Sequence, residues 1–357
     1  MLFLLILGAI ALVVFMFLQQ PVFGKEPSRA DNDRVYFQNV EPTEVMLKEA
    51  SAGKLLKEFL RSNPDRVPKS ALSTAKTDLH GLPHHATSVV WMGHSSYFIQ
   101  INRFRILVDP VLSGHASPVK IFGKAFPGTD VYLVDEIPDV DLLILTHDHY
   151  DHLDYKTIRA FHPRAKRIVT AQGVGAHLRY WKIPGEKITE LRWWQSASVT
   201  PEVSITASPA RHFSGRKFTR AKTLWASFVL QVGSLILFIG GDSGYDQQFK
   251  EIGKRLGPFD LAFLEAGQYG KFWPLIHMAP EETVQAAIDL QARVLMPVHW
   301  GKFALANHAW YEPIDRVTTA ASRAGIACAT PRIGEVFTLG GPLPRETWWH
   351  LSDRKVS

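Results

Sequence analysis

Six consecutive residues, His147-Asp148-His149-Tyr150-Asp151-His152, combine three imidazoles with the carboxylate of Asp151. They follow the apolar run of residues 141–146, which is typical of a short buried strand, so they lie on the loop at its carboxyl end. From an extended segment, His147 and His149 can turn toward one point, and Asp151 and His152 toward a second point nearby. Neutral imidazole and carboxylate are ligands that suit zinc. The alternative is a polar surface loop that happens to be rich in histidine.

Three other chemistry-bearing side chains stand in the same position relative to an apolar segment. His212 follows residues 203–208, Asp242 follows residues 235–239, and His299 follows residues 294–298. A lone histidine would mean little, but each of these residues falls just beyond a predicted strand. The repetition indicates one site, built from strand ends, that binds metal.

The HxHxDH pattern after an apolar strand resembles the signature of the metallo-β-lactamase superfamily, and several further blocks resemble its N-acyl-phosphatidylethanolamine-hydrolysing phospholipase D branch. These blocks are Trp91–Ser96, Leu107–Pro110, Pro209–Phe213, Gly240–Tyr245, Ile252–Asp260, His299–Gly301 and Phe303–Asn307. They run from about residue 35 to about residue 340. The resemblance implies an α/β (α+β) fold, a four-layered αββα sandwich with a two-metal site at the edge of its sheets. Related sugar-lactone hydrolases share part of the pattern.

The resemblance also implies a ligand set for two Zn²⁺ ions per chain. It assigns His147, His149 and His212 to the first ion, Asp151, His152 and His299 to the second, and Asp242 to a bridging position. Such a pair leaves room for a bridging water, whose pKa on zinc falls toward about 7, so that hydroxide can attack at neutral pH.

Other residues are expected to serve catalysis or to contact the substrate. Besides Asp242, the catalytic candidate is His277, as a general acid toward the leaving alkoxide; the alternative is packing at the start of a helix. The substrate-side candidates are His94, Arg216, Gln268 and Tyr269. The alternative for His94 is an ordinary satisfied polar residue, and for Arg216 a solvated basic turn.

The expected enzyme is a zinc-dependent phosphodiesterase of the phospholipase D type. Its reaction would be hydrolysis of N-acyl-phosphatidylethanolamine or a related phospholipid to phosphatidic acid and an N-acylethanolamine. Two metals also suit a carbonyl, so a lactonase or sugar-phosphate hydrolase of the same fold is an alternative. A metallo-nuclease is a further alternative, although the chain shows no appended nucleic-acid module. A binding protein without activity is disfavoured by the intact ligand set.

Composition sets outer bounds on the architecture and on the partners. A chain of 357 residues with 46% apolar content can bury a large core. The net charge of +6 favours anionic partners only weakly. Cys328 is the single cysteine, which excludes a disulfide within the chain and a thiolate zinc site. The expected partners are a phospholipid substrate and a membrane, with no nucleic acid; a homodimer is left open.

The amino-terminal stretch Met1–Leu18 carries no charge and is about long enough to cross a bilayer as a helix. The missing basic n-region favours a transmembrane anchor over the alternative, a secretory signal peptide cut after Gly24. Lys25, Arg29 and Arg34 follow the stretch, so the positive-inside rule predicts a single-pass anchor in a bacterial-type inner membrane with the catalytic domain in the cytoplasm. Placement on the periplasmic face is the alternative.

Four regions are expected along the chain. Residues 1–20 form the anchor or signal segment, 21–85 a linker and helical extension, 86–340 the hydrolase domain, and 341–357 a tail. Within the extension, Thr43 is predicted to cap a helix that continues to about Leu60. In the hydrolase domain, Asn102-Arg103 is predicted to turn a hairpin, and residues 155–161 a helix.

Overall fold

The computed structural model describes residues 11–28 and 36–350, and its described strands form two seven-stranded sheets. The first sheet has the order β14-β1-β2-β3-β4-β5-β6. Its strands are β1 (Thr87–Trp91), β2 (Tyr97–Ile101), β3 (Phe104–Val108), β4 (Val140–Leu145), β5 (Ala165–Ala171), β6 (Ile188–Leu191) and β14 (Val336–Thr338). Strands β3 to β6 are parallel and the remaining pairs antiparallel. The predicted turn at Asn102-Arg103 is confirmed: it joins β2 to β3, and Asn102 has a φ of 55°.

The second sheet has the order β13-β12-β11-β10-β9-β8-β7. Its strands are β7 (Ser196–Thr200), β8 (Val203–Ser208), β9 (Ser227–Val232), β10 (Leu235–Ile239), β11 (Leu261–Glu265), β12 (Val294–Val298) and β13 (Ala327–Cys328). Strands β10 to β13 are parallel. Parallel strands place their carboxyl ends at one edge of a sheet, so the residues that follow β10, β11 and β12 come together there.

The two sheets share one hydrophobic core that joins their facing sides. Tyr97 of the first sheet stacks on Phe263 of the second, with ring centroids 4.1 Å apart. Because side chains alternate along a strand, Leu237 and Ile239 point into this shared core, whereas Phe238 joins a second apolar cluster with the helices that cover the outer face. The architecture is an α/β sandwich of two mixed sheets with helices.

The α-helices that follow strand β1 along the chain are α3 (Tyr155–Phe161), α4 (Gly175–Tyr180), α5 (Gln248–Leu256), α6 (Pro280–Asp289) and α7 (Glu312–Ala324). The bounds of α3 match the predicted helix. The predicted helix from Thr43 to Leu60 is wrong in its first half, since only α2 (Ala52–Leu60) forms, with the Ser51 hydroxyl accepting from the Lys54 amide. An alternative cap inside the segment therefore starts the helix later.

The amino-terminal segment differs from the prediction. Residues 11–18 are helical (α1), after which a turn leads to a 3₁₀ turn at Pro21–Phe23, and Phe23 is buried against the domain. Over residues 11–28 and 36–350, no helix has the length and apolar character needed to cross a membrane. The predicted transmembrane helix, and the single-pass inner-membrane location that depended on it, are thus contradicted. Met1 to Ile10 lie outside the described residues.

The proposed division of the chain remains a prediction. The first strand begins at Thr87 and the last ends at Thr338, inside the expected hydrolase domain. Part of the extension packs on that domain, because Phe37, Leu72 and Leu79 join the shared core. Of the predicted tail, residues 351–357 lie outside the described part, as do Arg29 and Arg34 of the predicted basic flank.

Candidate metal centre

The loop after β4 carries the HxHxDH residues and is closed by its own backbone. The amides of His152 and Leu153 both donate to the carbonyl of His149, which folds the loop into a tight turn. Thr146, the last residue before the loop, donates its amide to Asp109 at 2.9 Å and its hydroxyl to the same carboxylate at 2.6 Å. The first sheet thereby fixes where the loop starts.

The other candidate ligands arrive from the second sheet. His212 follows β8, Asp242 follows β10 and His299 follows β12, as the strand-end pattern predicts. His94, Asp109 and His299 all have positive φ values, at 53°, 39° and 67°. Non-glycine residues seldom adopt this backbone conformation, and such residues concentrate at functional sites. The loops that carry these side chains are held in strained positions by the packed sandwich beneath them.

The structure gathers the predicted ligands into two adjoining groups. The ligand atoms of each group lie within 4.8 Å of one another; the groups are His147, His149, His212 and Asp242, and His94, Asp151, His152 and His299. Asp242 lies between them. Its Oδ2 is 3.8 Å from His147 Nε2 and 3.7 Å from His212 Nε2, whereas its Oδ1 is 3.1 Å from His152 Nε2 and 3.1 Å from His299 Nδ1. One carboxylate thus presents one oxygen to each group.

Hydrogen bonds on the far side of the rings orient the lone pairs of the first group. The Thr146 hydroxyl donates to Asp109, so it accepts from His147 Nδ1 at 3.0 Å and leaves the Nε2 lone pair of His147 facing the group. His212 Nδ1 lies 2.9 Å from the carbonyl of Ile276, which likewise leaves its Nε2 as an acceptor. Such outer hydrogen bonds are the usual way of fixing a metal-binding imidazole.

These lone pairs converge in a way that fits a cation. His149 Nδ1 is 3.0 Å from His147 Nε2 and 3.2 Å from His212 Nε2, and a single hydrogen on His149 can satisfy only one of these approaches. Burial lowers the pKa of all three imidazoles, which favours the neutral form that binds metal. A positive ion at the centre would satisfy every nitrogen.

The side chains of the second group are also arranged to bind a cation. His152 Nδ1 lies 2.8 Å from Asp109, so its Nε2 lone pair points toward Asp242 Oδ1, and both of these buried atoms lack a hydrogen-bond partner. Burial disfavours a charge on His152, but the carboxylates of Asp242 and Asp151 outweigh it and raise the pKa of that imidazole. The same negative potential attracts a divalent cation.

Not all of the predicted substrate-side residues reach this site. His94 belongs to the second group, with Nε2 2.9 Å from Asp151 Oδ2. Gln268 lines the cavity, but its amide is engaged by the backbone of Phe303, Leu305 and Ala306. Tyr269 lies apart, donating to Glu312 at 2.7 Å and stacking on His308.

Arg216 binds the backbone of the loop that carries the HxHxDH residues. It is buried, and its guanidinium donates to the backbone carbonyls of Val22, Asp148 and Leu153. These contacts place Arg216 against the backbone of the loop, and its role toward substrate stays a prediction.

Sequence reasoning missed Glu265, the last residue of β11. Its side chain is fully buried, lies 2.8 Å from His277 Nδ1 and forms a third ligand-competent group with Asp242, His277 and His299. A signal was present in the sequence. Glu265 is a polar residue directly after the apolar residues 261–264, just as His299 directly follows the apolar residues 294–298.

A cavity of about 220 Å³ opens in front of the two groups. His149, Asp151, Asp242, His277 and His299 form its polar floor, and its walls are mainly apolar, with Val45, Met46, Phe213, Trp273, Ile276 and Leu305. Arg220 adds a cation at the rim. The site can therefore hold a polar group over the metal-binding residues and apolar groups beside it.

An α/β sandwich with a histidine–carboxylate cluster at the strand ends defines a metal-dependent hydrolase. Comparison with known proteins agrees: residues 104–300 match the family described as beta-lactamase superfamily domain. The chain belongs to the metallo-β-lactamase superfamily. An uncharacterised protein of Mycobacterium tuberculosis is 38% identical over 321 residues, 88% of this chain and 86% of that protein.

A second relative carries a functional name. It is N-acyl-phosphatidylethanolamine-hydrolyzing phospholipase D 1 of Caenorhabditis elegans, 29% identical over 246 residues, which are 64% of this chain and 67% of the relative. Among solved structures, a possible metal-dependent hydrolase from Veillonella parvula matches with a TM-score of 0.58 over 71% of this chain and all of that chain, at 15% identity. This last likeness shows the fold alone.

Proposed function

We propose that the protein is a two-zinc phosphodiesterase that hydrolyses N-acyl-phosphatidylethanolamine or a related phospholipid, releasing phosphatidic acid and an N-acylethanolamine. The observation that carries the proposal is the position of Asp242, whose two oxygens face two separate groups of imidazoles. The name of the Caenorhabditis elegans relative supplies the substrate class.

The proposed ligands are those named from the sequence. His147, His149 and His212 would hold one ion, Asp151, His152 and His299 the other, and Asp242 both. When bound, a zinc pair lowers the pKa of water and neutralises the oxygens of a phosphodiester. The contribution of this chain is to keep the lone pairs aimed inward, through Asp109 behind His152 and the Ile276 carbonyl behind His212.

His277 is the proposed proton donor to the leaving ethanolamide oxygen. It lines the cavity, and its Nδ1 is held by Glu265 at 2.8 Å, which leaves Nε2 to give a proton. An alkoxide is a poor leaving group, so a positioned acid contributes strongly to this step.

Apolar surface around the cavity supports a lipid substrate. Leu305 lines both the cavity and a neighbouring groove of about 900 Å³ between α2 and the loop of residues 116–127. The groove contains Leu56, Phe59, Ile121 and Phe122, all substantially exposed. Exposed apolar patches of this kind mark binding surfaces, and acyl chains would bury this one. Arg220 at the cavity rim suits the phosphate.

The test uses the full-length protein in mixed micelles of N-acyl-phosphatidylethanolamine, with zinc content and released products measured together. Two zinc ions per chain and release of N-acylethanolamine with phosphatidic acid are expected. Asp242→Asn should abolish release and lower the zinc content, whereas Asp139→Asn, a matched change at an exposed surface ion pair, should change neither. Two zinc ions with turnover of a lactone or a sugar phosphate, and of no phospholipid, would refute the substrate.

A further inference from the structure

Arg216 joins the two ends of the loop that carries the HxHxDH residues. Its Nη1 donates to the carbonyl of Asp148 at 2.6 Å and to the carbonyl of Leu153 at 2.8 Å. These carbonyls bracket His149, Asp151 and His152, three of the proposed ligands. A single nitrogen atom therefore links the two ends of the ligand-bearing segment, residues 148–153.

The same guanidinium also holds the amino-terminal segment. Nη2 donates to the carbonyl of Val22 at 2.7 Å and Nε donates to it at 3.2 Å. Trp181 donates its indole N–H to Pro21 at 2.7 Å. Residues 21–24, which we name the strap, are thus held against the loop, and none of them lines the cavity over the metal groups.

Aromatic rings complete the contact between strap and loop. The buried Phe23 ring meets the edge of Tyr150, with centroids 6.3 Å apart. Arg216 lies between the rings of Tyr150, at 4.2 Å, and Trp181, at 5.2 Å. The Tyr150 hydroxyl donates to the carbonyl of Arg216. A charge only 4% exposed is stabilised here by carbonyl oxygens and ring faces instead of a paired carboxylate.

Close packing seats the strap at its end. Gly24 has a φ of 65°, and a Cβ added there would lie 2.2 Å from Nδ1 of the buried His177. His177 in turn lies 3.2 Å from the Asp148 carboxylate. Only glycine lets the strap come this near, because both the backbone conformation and the space exclude a side chain.

We propose that the strap and Arg216 together form a brace that holds the loop of residues 148–153 in its metal-binding shape, with Arg216 as the positioning residue. This inference rests on the proposed metal ligands and is independent of the proposed substrate. An arginine suits this position because its nitrogens are spread over one rigid plane, so that Nη1 reaches the loop while Nη2 and Nε reach the strap. The single nitrogen of an ammonium group cannot occupy both places.

The brace can be loosened from either side in the full-length chain. Gly24→Val displaces the strap at its contact with His177, and Arg216→Lys keeps the charge but loses the fork. The control is Gly233→Val, which also places a valine at a positive φ, 58°. It lies in the β9–β10 turn, where an added Cβ meets nothing within 4 Å. Zinc affinity is measured by competition with a chromophoric chelator, and amide hydrogen exchange is followed in residues 148–153.

Both brace variants should lower zinc affinity about 10- to 100-fold, the usual effect of losing a residue that orients ligands, and should speed exchange in the loop relative to Gly233→Val. A purely structural role would lower the melting temperature but leave the affinity of the folded protein unchanged. The brace is refuted if Gly24→Val speeds exchange in residues 21–24 while zinc affinity and loop exchange equal those of the control. Should Arg216→Lys not fold, Gly24→Val decides alone.

The substrate proposal and the brace can fail separately. Absence of phospholipid turnover does not affect the zinc titration. If the native protein binds no zinc, the metal assignment fails, and loop exchange still distinguishes an intact brace from a loosened one.

Discussion

His277 Nδ1 lies 2.8 Å from Oε2 of Glu265, a carboxylate with no exposed surface at the end of β11. Oε1 of Glu265 accepts from the amides of Ser243 and Met278, at 3.2 and 3.0 Å. The carboxylate is therefore fixed on both sides. Burial alone would lower the pKa of His277, but the adjacent Glu265 raises it above its ordinary value. The pair is arranged to keep a proton on His277.

Replacing His277 should cost more for a poor leaving group than for a good one. His277→Gln is expected to reduce kcat about 10²- to 10⁴-fold with a phospholipid that releases an alkoxide. A p-nitrophenyl phosphodiester needs little protonation of its leaving group and should lose far less. Steady-state kinetics with both substrates check this, and equal losses would contradict the acid role.

Glu265→Gln should move the alkaline limb of the pH–rate profile to lower pH. The sign follows from the pair: the carboxylate raises the pKa of His277, so its removal makes the imidazole lose its proton at lower pH. The control is Glu281→Gln, which removes only a surface ion pair with Arg316. An unshifted profile in Glu265→Gln would show that His277 is not the group being titrated.

Asp109→Asn should weaken metal binding although it replaces no proposed ligand. Asp109 holds His152 Nδ1 at 2.8 Å and accepts from both the amide and the hydroxyl of Thr146. Loss of this contact is expected to lower zinc affinity about 10- to 100-fold. Asp139→Asn, at an exposed ion pair with Arg164, is the matched control. Wild-type affinity in Asp109→Asn would rule out the orienting role.

Leu305→Glu should discriminate against long acyl chains. Leu305 lines both the catalytic cavity and the apolar groove, so a carboxylate there would be buried against a chain that cannot hydrate it. We expect kcat/KM to fall about tenfold or more for diacyl phospholipids and to change little for a water-soluble phosphodiester. An equal effect on both substrates would show that the groove does not bind the acyl chains.

Lys302→Met should destabilise the fold. Lys302 is 1% exposed, and its ammonium donates to the carbonyls of Met92 and Val111, near the strand ends that carry His94 and Asp109. A methionine of similar shape leaves those buried carbonyls without this donor, at a cost of about 1–3 kcal/mol. Chemical denaturation measures the loss, and the exposed Lys250→Met provides the reference. Equal free energies of unfolding for the two variants would contradict the prediction.

The positions of His212, Asp242 and His299 could be predicted because a local pattern, an apolar strand followed by a polar residue, is enough to bring them to one edge. The α3 helix and the β2–β3 turn were equally local. Glu265 has the same signal, yet its partner His277 is separated from it by a loop, so the pairing depends on how that loop returns. Strand ends are therefore visible in a sequence, whereas contacts between loops are not.

Arg216 and the amino-terminal segment show the other limit. A basic residue near a histidine suggests an anionic ligand, but the partners of Arg216 are backbone carbonyls. Every residue has a backbone carbonyl, so the sequence does not show which ones an arginine will bind. In the same way, the hydropathy of residues 1–18 does not reveal that Phe23 and Pro21 find partners in the domain. In neither case does residue type alone reveal the contacts.

The proposed ligands come from both halves of the sandwich: the loop after β4 belongs to the first sheet, and His212, Asp242 and His299 belong to the second. An ion at this seam would act as a reversible crosslink between distant parts of the chain. Its binding free energy then counts toward folding, amounting to about 2.7 kcal/mol when free zinc is a hundred times its dissociation constant. The resistance of this enzyme to heat and to proteases would rise and fall with the zinc supply of its surroundings.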